Sequence, residues 1–187
     1  MEHHNAESPV TELLVAAGAP PQAATTELEQ LMPIDEARFR QAMGYFASGV
    51  TVVTTEHNGE PYGMTVSSFS SLSLVPPLVL ICIDKSAPTH QALLGAGKFV
   101  VNVLEKRQEH LSRRFATTSR EKFKGVAWHS GTLALPVLDH VLAVIECRVH
   151  ATIEAGDHTI FVGEVYDTDV HEGAPLLYFR RGYHELK

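Results

Sequence analysis

The chain has 187 residues and a formal net charge of −7, with 44% apolar and 20% charged residues, the balance of one soluble, well-buried domain rather than of a disordered chain. Its basic residues gather in nothing larger than pairs such as Arg113/Arg114 and Arg180/Arg181, which excludes a nucleic-acid partner held by its backbone. Two cysteines, Cys82 and Cys147, stand far apart in apolar runs and outside any CxxC pair, which argues against a disulfide framework or a metal site and predicts buried free thiols in a reducing compartment.

Residues 1–33 are rich in Ala, Pro, Thr and Glu without sustained periodicity, and predict a loosely ordered extension before a folded domain over residues 34–187. The start "MEHHNAESPV" lacks a basic n-region and the run "LLVAA" is too short for a signal peptide or a span, so a cytoplasmic protein with no membrane partner is expected. In "IDEARFRQAMGYFASG" Asp35 is placed to cap a helix whose Phe39, Ala42, Met43 and Phe46 share one face, a face expected to pack. The β-branched "VTVVTT" (Val50 to Thr55), the turn "EHNGEP" and a strand from about Tyr62 read as a hairpin. Further strands are expected at "LVLICI" (Leu78 to Ile83) and "KFVVNVL" (Lys98 to Leu104), and short helices at "THQALLGAG" and "RQEHLSRRFA".

After a loop-rich region to Asp139, "LAVIECRVHATIEA" alternates, with Ile145, Cys147, Val149, Ala151 and Ile153 on one face and Glu146, Arg148, His150, Thr152 and Glu154 on the other. This predicts a strand wet on one side. "AGDH" turns into "TIFVGEVYD", and "APLLYFRRGYHEL" is expected to give a final strand. Many short strands with few helices between them predict a mainly β fold, an antiparallel barrel with a few flanking short helices.

Several motifs are excluded by their spacing. "LLGAGKF" has Ala92 and Phe99 where a P-loop needs Gly and Ser/Thr, and its Gly95 and Gly97 read as helix-end glycines. No GxGxxG follows a strand, "HEGAP" has Pro175 in place of the second zincin histidine, and no GxSxG elbow is present.

The stretch "GMTVSSFSSLSL" carries five serines between Ser67 and Ser73 inside a β run. Alone, these are most simply small residues hydrogen-bonding locally at a sheet bend. In order and spacing, however, "GVTVVTT", "GMTVSSFSSLSLVPPLVLICI", "FVVNVL", "RRFA", "AGDHTIFVGEV" and "PLLYFRRGYHEL" resemble the short-chain flavin reductase family. These are FMN-binding split-barrel proteins, the reductase components of two-component flavin-dependent monooxygenases. The resemblance covers about residues 35–187.

The resemblance implies a split β-barrel NAD(P)H:flavin oxidoreductase acting as a homodimer, with FMN or FAD reduced by NADH or NADPH and released to a separate monooxygenase. It places Gly63, Met64, Thr65, Val66, Ser67 and Ser68 along the flavin ring, with Thr65, Ser67 and Ser68 as ligands and Ser70, Ser71 and Ser73 bonded locally. Glycine at 63 would let backbone approach the flat ring, and preorganised donors would stabilise the negative charge of the reduced ring. Cys82, Ile83, Asp84, Ser86 and Thr89 would line the cofactor, Ser86 also capping a helix whose Pro88 fits the first turn. Phe115 and Ala116 would close over it. Arg113 or Arg114 is a candidate for its phosphate.

His158 is implied as the catalytic residue on the open flavin face, and Phe179, Arg180, Arg181 and Gly182 as further nicotinamide-binding residues. Taken alone, His158 is a turn histidine and "YFRRGY" an edge strand. Three departures from the family pattern stand out: Val66 in place of a small alanine, Ala134 in place of a common glycine, and the details of "RRGYH". The alternatives are a flavin-binding electron-transfer module without a nicotinamide site, and a split-barrel oxidase of a small amine or pyridoxal-type substrate, for which no basic phosphate-recognising constellation is found.

Overall fold

The computed structural model describes residues 32–186; apart from Met32 and Pro33, the extension expected over residues 1–33 lies outside them. The chain divides into two units within helix α1 (Glu36–Met43), at Phe39/Arg40. In the first, Asp35 caps the helix as expected, its Oδ1 accepting the N–H of Arg38 at 2.9 Å. None of the residues of α1 is buried, and Met43 is 51% and Phe46 72% exposed, so among the described residues the expected packing of this apolar face is not found.

The second unit is built on a seven-stranded antiparallel sheet in the order β3-β2-β6-β9-β10-β5-β4. Its strands are β2 (Thr51–His57), β3 (Glu60–Val66), β4 (Phe69–Leu74), β5 (Pro77–Asp84), β6 (Lys98–Val103), β9 (Ala143–Ala155) and β10 (His158–Val170). Strands β2 and β3 form the expected hairpin through Asn58 and Gly59, whose φ of 55° and 80° are those of a tight Asn-Gly turn. In a flat sheet β3 and β5 would lie about 24 Å apart, at roughly 4.8 Å per strand. Instead Val66 of β3, Val53, Ile81, Ile83, Phe99, Cys147 and Phe161 share one core. The sheet is therefore rolled into a barrel.

A second core covers the outer face of β2 and β6. Val52, Val100, Leu104, Leu135, Leu138 and Val144 pack there against Leu111 and Phe115 of helix α3 (Glu109–Phe115). Because β2 is covered on both faces, its threonines are buried and satisfied by backbone: Thr51 Oγ1 donates to Val66 O at 2.7 Å and Thr55 Oγ1 to Lys98 O at 2.8 Å. Helix α2 (Pro88–Ala96) ends on Gly97, in the left-handed region at φ 63° with its N–H bonded to Leu93 O. Short strands β7 (Trp128–Ser130) and β8 (Pro136–Leu138) form a hairpin, and β1 (Ser48–Gly49), β11 (Leu177–Phe179) and β12 (Gly182–His184) a three-stranded sheet.

Three expectations are corrected. The final strand is two short ones, β11 and β12, joined by a turn at Arg180 and Arg181. Glu146 is not on a wet face: it is 4% exposed and its carboxylate accepts the N–H groups of Thr132 at 2.8 Å and Leu133 at 2.7 Å. The reason is that β9 runs mid-sheet under the loop before β8, and alternation alone does not reveal a loop that returns to cover a strand. Cys147 is buried as expected, whereas Cys82 is only half-buried.

Candidate functional site

Two groups of the expected site residues are each brought together by the barrel. The first lies where β5 ends and β10 begins. There the register pairs Asp84 with His158 and Cys82 with Ile160, and Ser68 closes on β5, its backbone carbonyl accepting Cys82 N–H at 3.2 Å and its hydroxyl donating to Cys82 O at 3.0 Å. His158 is half-buried, and its Nδ1 lies 2.7 Å from Asp157 Oδ1; this contact holds the Asp157 carboxyl below its ordinary value. With Nδ1 so engaged, Nε2 is the ring nitrogen left for a ligand.

Ser86 does not cap α2. The N-cap is Ala87, without a side-chain bond, because both the N–H and the hydroxyl of Ser86 are taken by Asp84 Oδ1 at 2.7 Å. Those two bonds, foremost the hydroxyl's, lower the Asp84 pKa. Thr89, in the first turn of α2, is buried, and Ile83 is in the barrel core.

The second group is β3 and what lies beneath it. Gly63 also has a packing reason of its own: a Cβ there would lie 2.8 Å from Cε1 of Phe115, so the chain's own ring approaches the backbone closely on that side. Phe115 is wholly buried in the outer core and supports β3 from below, while Ala116 is exposed at the end of α3. Val66 points into the barrel core, and Met64 is half-buried against it. Thr65 Oγ1 donates to Ser112 O at 2.6 Å, which ties β3 to α3. Ser67 is exposed, and among the described residues its hydroxyl has no partner; Ser70 Oγ donates locally to Ser71 O.

The two arginines of "RRFA" are engaged differently. Arg114 gathers loop carbonyls, donating to Lys122 O at 2.6 Å, Glu121 O at 3.1 Å and Lys124 O, and Arg113 pairs with Glu109 at 2.7 Å. Sequence reasoning missed Lys122, which donates to Gly63 O at 3.0 Å and Phe115 O at 3.1 Å, its pKa lowered by burial. No periodicity marks it; only the basic residues of "SREKFK" after "RRFA" hinted at a functional loop. Lys122 lines a cavity of about 380 Å³ together with Gly63, Thr89, Arg120 and Phe123. Two cationic side chains at the first turn of α2 suit an anionic phosphate, and the chain thus fits a phosphorylated cofactor beside β3.

The residues of the expected nicotinamide segment form the β11–β12 turn. Phe179 packs edge-on to Tyr45 with centroids 6.2 Å apart, and the Arg180 guanidinium lies 5.0 Å over the Tyr45 ring. Arg180 and Arg181 have φ of 48° and 64°, two left-handed residues where Asn-Gly is the unstrained choice, and strain of this kind gathers at ligand sites. Gly182 opens β12.

The flavin reductase like domain profile matches residues 43–187, most of the chain. The chain belongs to this family. This flavin reductase is 44% identical over 150 residues to the reductase component of the 4-nitrophenol 4-monooxygenase/4-nitrocatechol 2-monooxygenase of Rhodococcus opacus, covering 80% of each chain. It is 42% identical over 171 residues to the flavin reductase (NADH) of Kitasatospora aureofaciens, covering 88% of this chain and 89% of the relative. Among solved structures it resembles the NADH:FAD oxidoreductase of Streptomyces globisporus in complex with NAD and FAD fragments. The TM-score is 0.80 at 40% identity, covering 84% of this chain and 96% of the other. The rolled antiparallel sheet is the split barrel of that family.

Proposed function

We propose that the chain is an NADH-dependent flavin reductase that passes reduced flavin to a separate monooxygenase component. The observation that carries this reading is the fit of an NADH:FAD oxidoreductase fold, solved with both ligands' fragments, over 84% of the chain. The flavin supplies the hydride acceptor when bound. Residues 63–68 hold its ring on the edge strand β3, with the hydroxyl of Ser67 and backbone donors toward its polar edge. Lys122 and Arg120 receive its phosphate beside Thr89. His158 presents Nε2 to the nicotinamide, while Phe179, Arg180, Arg181 and Gly182 bind the rest of the dinucleotide. No side chain needs to move a proton for this transfer, so positioning is the main contribution of the protein.

The functional domain runs over residues 34–187, with residues 1–33 an extension dispensable for flavin reduction. A homodimer is supported by edge strand β4, where Leu72, Leu74 and the following Val75 are 50%, 90% and 91% exposed, an apolar edge that a second copy would cover. The free thiols suit the cytoplasm, and among the described residues no helix is long and apolar enough to cross a membrane. The test is NADH and NADPH oxidation with added FMN or FAD. Flavin-dependent oxidation, fastest with NADH, is expected; no flavin-dependent rate in any of the combinations would overturn the reading.

A further inference from the structure

We propose that Ser112 is a positioning residue that holds the dinucleotide-binding hairpin in place relative to the flavin segment. The proposal rests on the assignment of residues 179–182 and 63–68 made above. Ser112 is wholly buried, and its two polar groups serve two different elements. Its carbonyl accepts both Ala116 N–H at 3.0 Å and Thr65 Oγ1–H at 2.6 Å, filling its two lone pairs. Its hydroxyl lies 2.8 Å from the phenol oxygen of Tyr183. Tyr183 directly follows Gly182 on β12 and pairs with Tyr178 of β11, the ring centroids 5.4 Å apart. The neighbouring Arg113 stacks its guanidinium 4.9 Å over the Tyr183 ring. One helix thus grips the flavin strand through residue 112 and the hairpin through residues 112 and 113.

The hairpin needs such a grip. Its strands are three residues each, its other partner β1 has two, and its Arg180-Arg181 turn is strained and so does little to order it. The Ser112–Tyr183 contact belongs to the outer core, with Leu111, Phe115 and Tyr178 on one side and the Arg113 guanidinium over the Tyr183 ring. Such a polar pair specifies one arrangement, because sliding leaves the wholly buried Ser112 hydroxyl without its partner and out of water. Hydride transfer needs the donor and acceptor atoms about 3–3.5 Å apart, so a hairpin free to slide slows the reaction without altering the flavin site.

The experiment compares Tyr183→Phe, Ser112→Ala and the double variant in NADH kinetics with FAD, using NADH and its 4-deuterated form. Each single variant is expected to lower kcat/KM for NADH about fivefold to thirtyfold, to raise the deuterium isotope effect on it, and to leave flavin Kd nearly unchanged; the double variant is expected to be no worse than the worse single one. Ser112→Thr, which keeps the hydroxyl, is expected to rescue. Normal NADH kinetics and isotope effect with only a lower Tm, or losses that multiply in the double variant, would overturn the proposal. If Ser112→Ala fails to fold, Ser112→Cys, with a weak donor of similar volume, carries the same expectation. Arg180→Ala and Arg181→Ala separate the two readings. Should they raise KM for NADH while Tyr183→Phe does not, Ser112 loses its role and the hairpin keeps its own; should none of the variants affect NADH, the hairpin assignment fails with it.

Discussion

The ring of Phe115 occupies the space into which a side chain at Gly63 would grow: Cε1 and Cδ1 lie 2.8 and 2.9 Å from an ideal Cβ at that position. Phe115 is itself wholly buried and has little freedom to retreat. Gly63→Ala is therefore expected to destabilise the fold by about 1–3 kcal/mol through overpacking and, because β3 must lift, to weaken flavin binding as well. Denaturant unfolding and flavin titration check both effects. Adding Phe115→Leu should recover part of the stability, since a smaller side chain opens the contested space; no recovery would mean that the strain lies elsewhere.

Ala134 occupies a position where an L side chain is strained, with φ of 53° in the left-handed region. The residue is exposed, so its methyl group contributes little packing to offset the strain. The left-handed conformation costs an alanine roughly 1–2 kcal/mol, partly offset by the entropy that glycine loses on folding. Ala134→Gly is expected to stabilise the protein by about 0.5–1 kcal/mol, a Tm rise of roughly 1–4 °C for a chain of this size, with unchanged flavin reduction. Thermal melts of the single variant check it.

What could be read from sequence divides along a physical line. Local signals were legible: the Asn58-Gly59 turn, the cap at Asp35 and the glycine at the end of α2 follow from backbone chemistry within a few residues. So was the barrel, since many short strands with few helices between them favour an antiparallel closed sheet. What failed depends on segments distant in the chain. Glu146 looked solvated because the loop that donates Thr132 and Leu133 N–H groups to it cannot be placed by periodicity. Ser86 looked like a cap because nothing local shows that Asp84 captures it first. Lys122 was missed because its two acceptors, Gly63 O and Phe115 O, are backbone atoms, which leave no trace in residue type.

The two cysteines should differ sharply in reactivity. Burial pushes the Cys147 thiol up from 9.0 to about 12, with nearby Glu146 adding to the shift, so the nucleophilic thiolate is suppressed in the folded state. Iodoacetamide at mildly alkaline pH is expected to label half-buried Cys82 and to spare Cys147 until the protein unfolds, as peptide mapping by mass spectrometry will show. Linkage fixes the sign of the accompanying pH effect. Between pH 9.0 and about 12 the unfolded chain gives up a proton that folded Cys147 retains; the unfolded state binds fewer protons, and stability falls as pH rises through that window. Below it the contribution is complete. Cys147→Ala should flatten this alkaline decline, and an unchanged decline would assign it to other groups.

His158 gives the most direct test of the nicotinamide side. Its register partner across the barrel end is Asp84, and its Nδ1 is held 2.7 Å from Asp157 Oδ1, so the ring is oriented before any ligand arrives and Nε2 remains to meet one. In the proposed function such a ring would help hold the hydride donor at reactive distance by packing or by one hydrogen bond, with no proton transferred. His158→Ala is expected to lower kcat/KM for NADH about tenfold to a hundredfold, roughly 1.4–2.7 kcal/mol of transition-state stabilisation, with little change in flavin affinity. Asp157→Ala, which frees the ring without removing it, should give a smaller loss in the same direction. If His158 instead serves only the turn between β9 and β10, its removal will lower Tm and leave the kinetics of the folded protein intact. Nucleotide kinetics, flavin Kd and melting temperature measured on the two variants distinguish these outcomes, because only a residue at the dinucleotide changes the first while sparing the second.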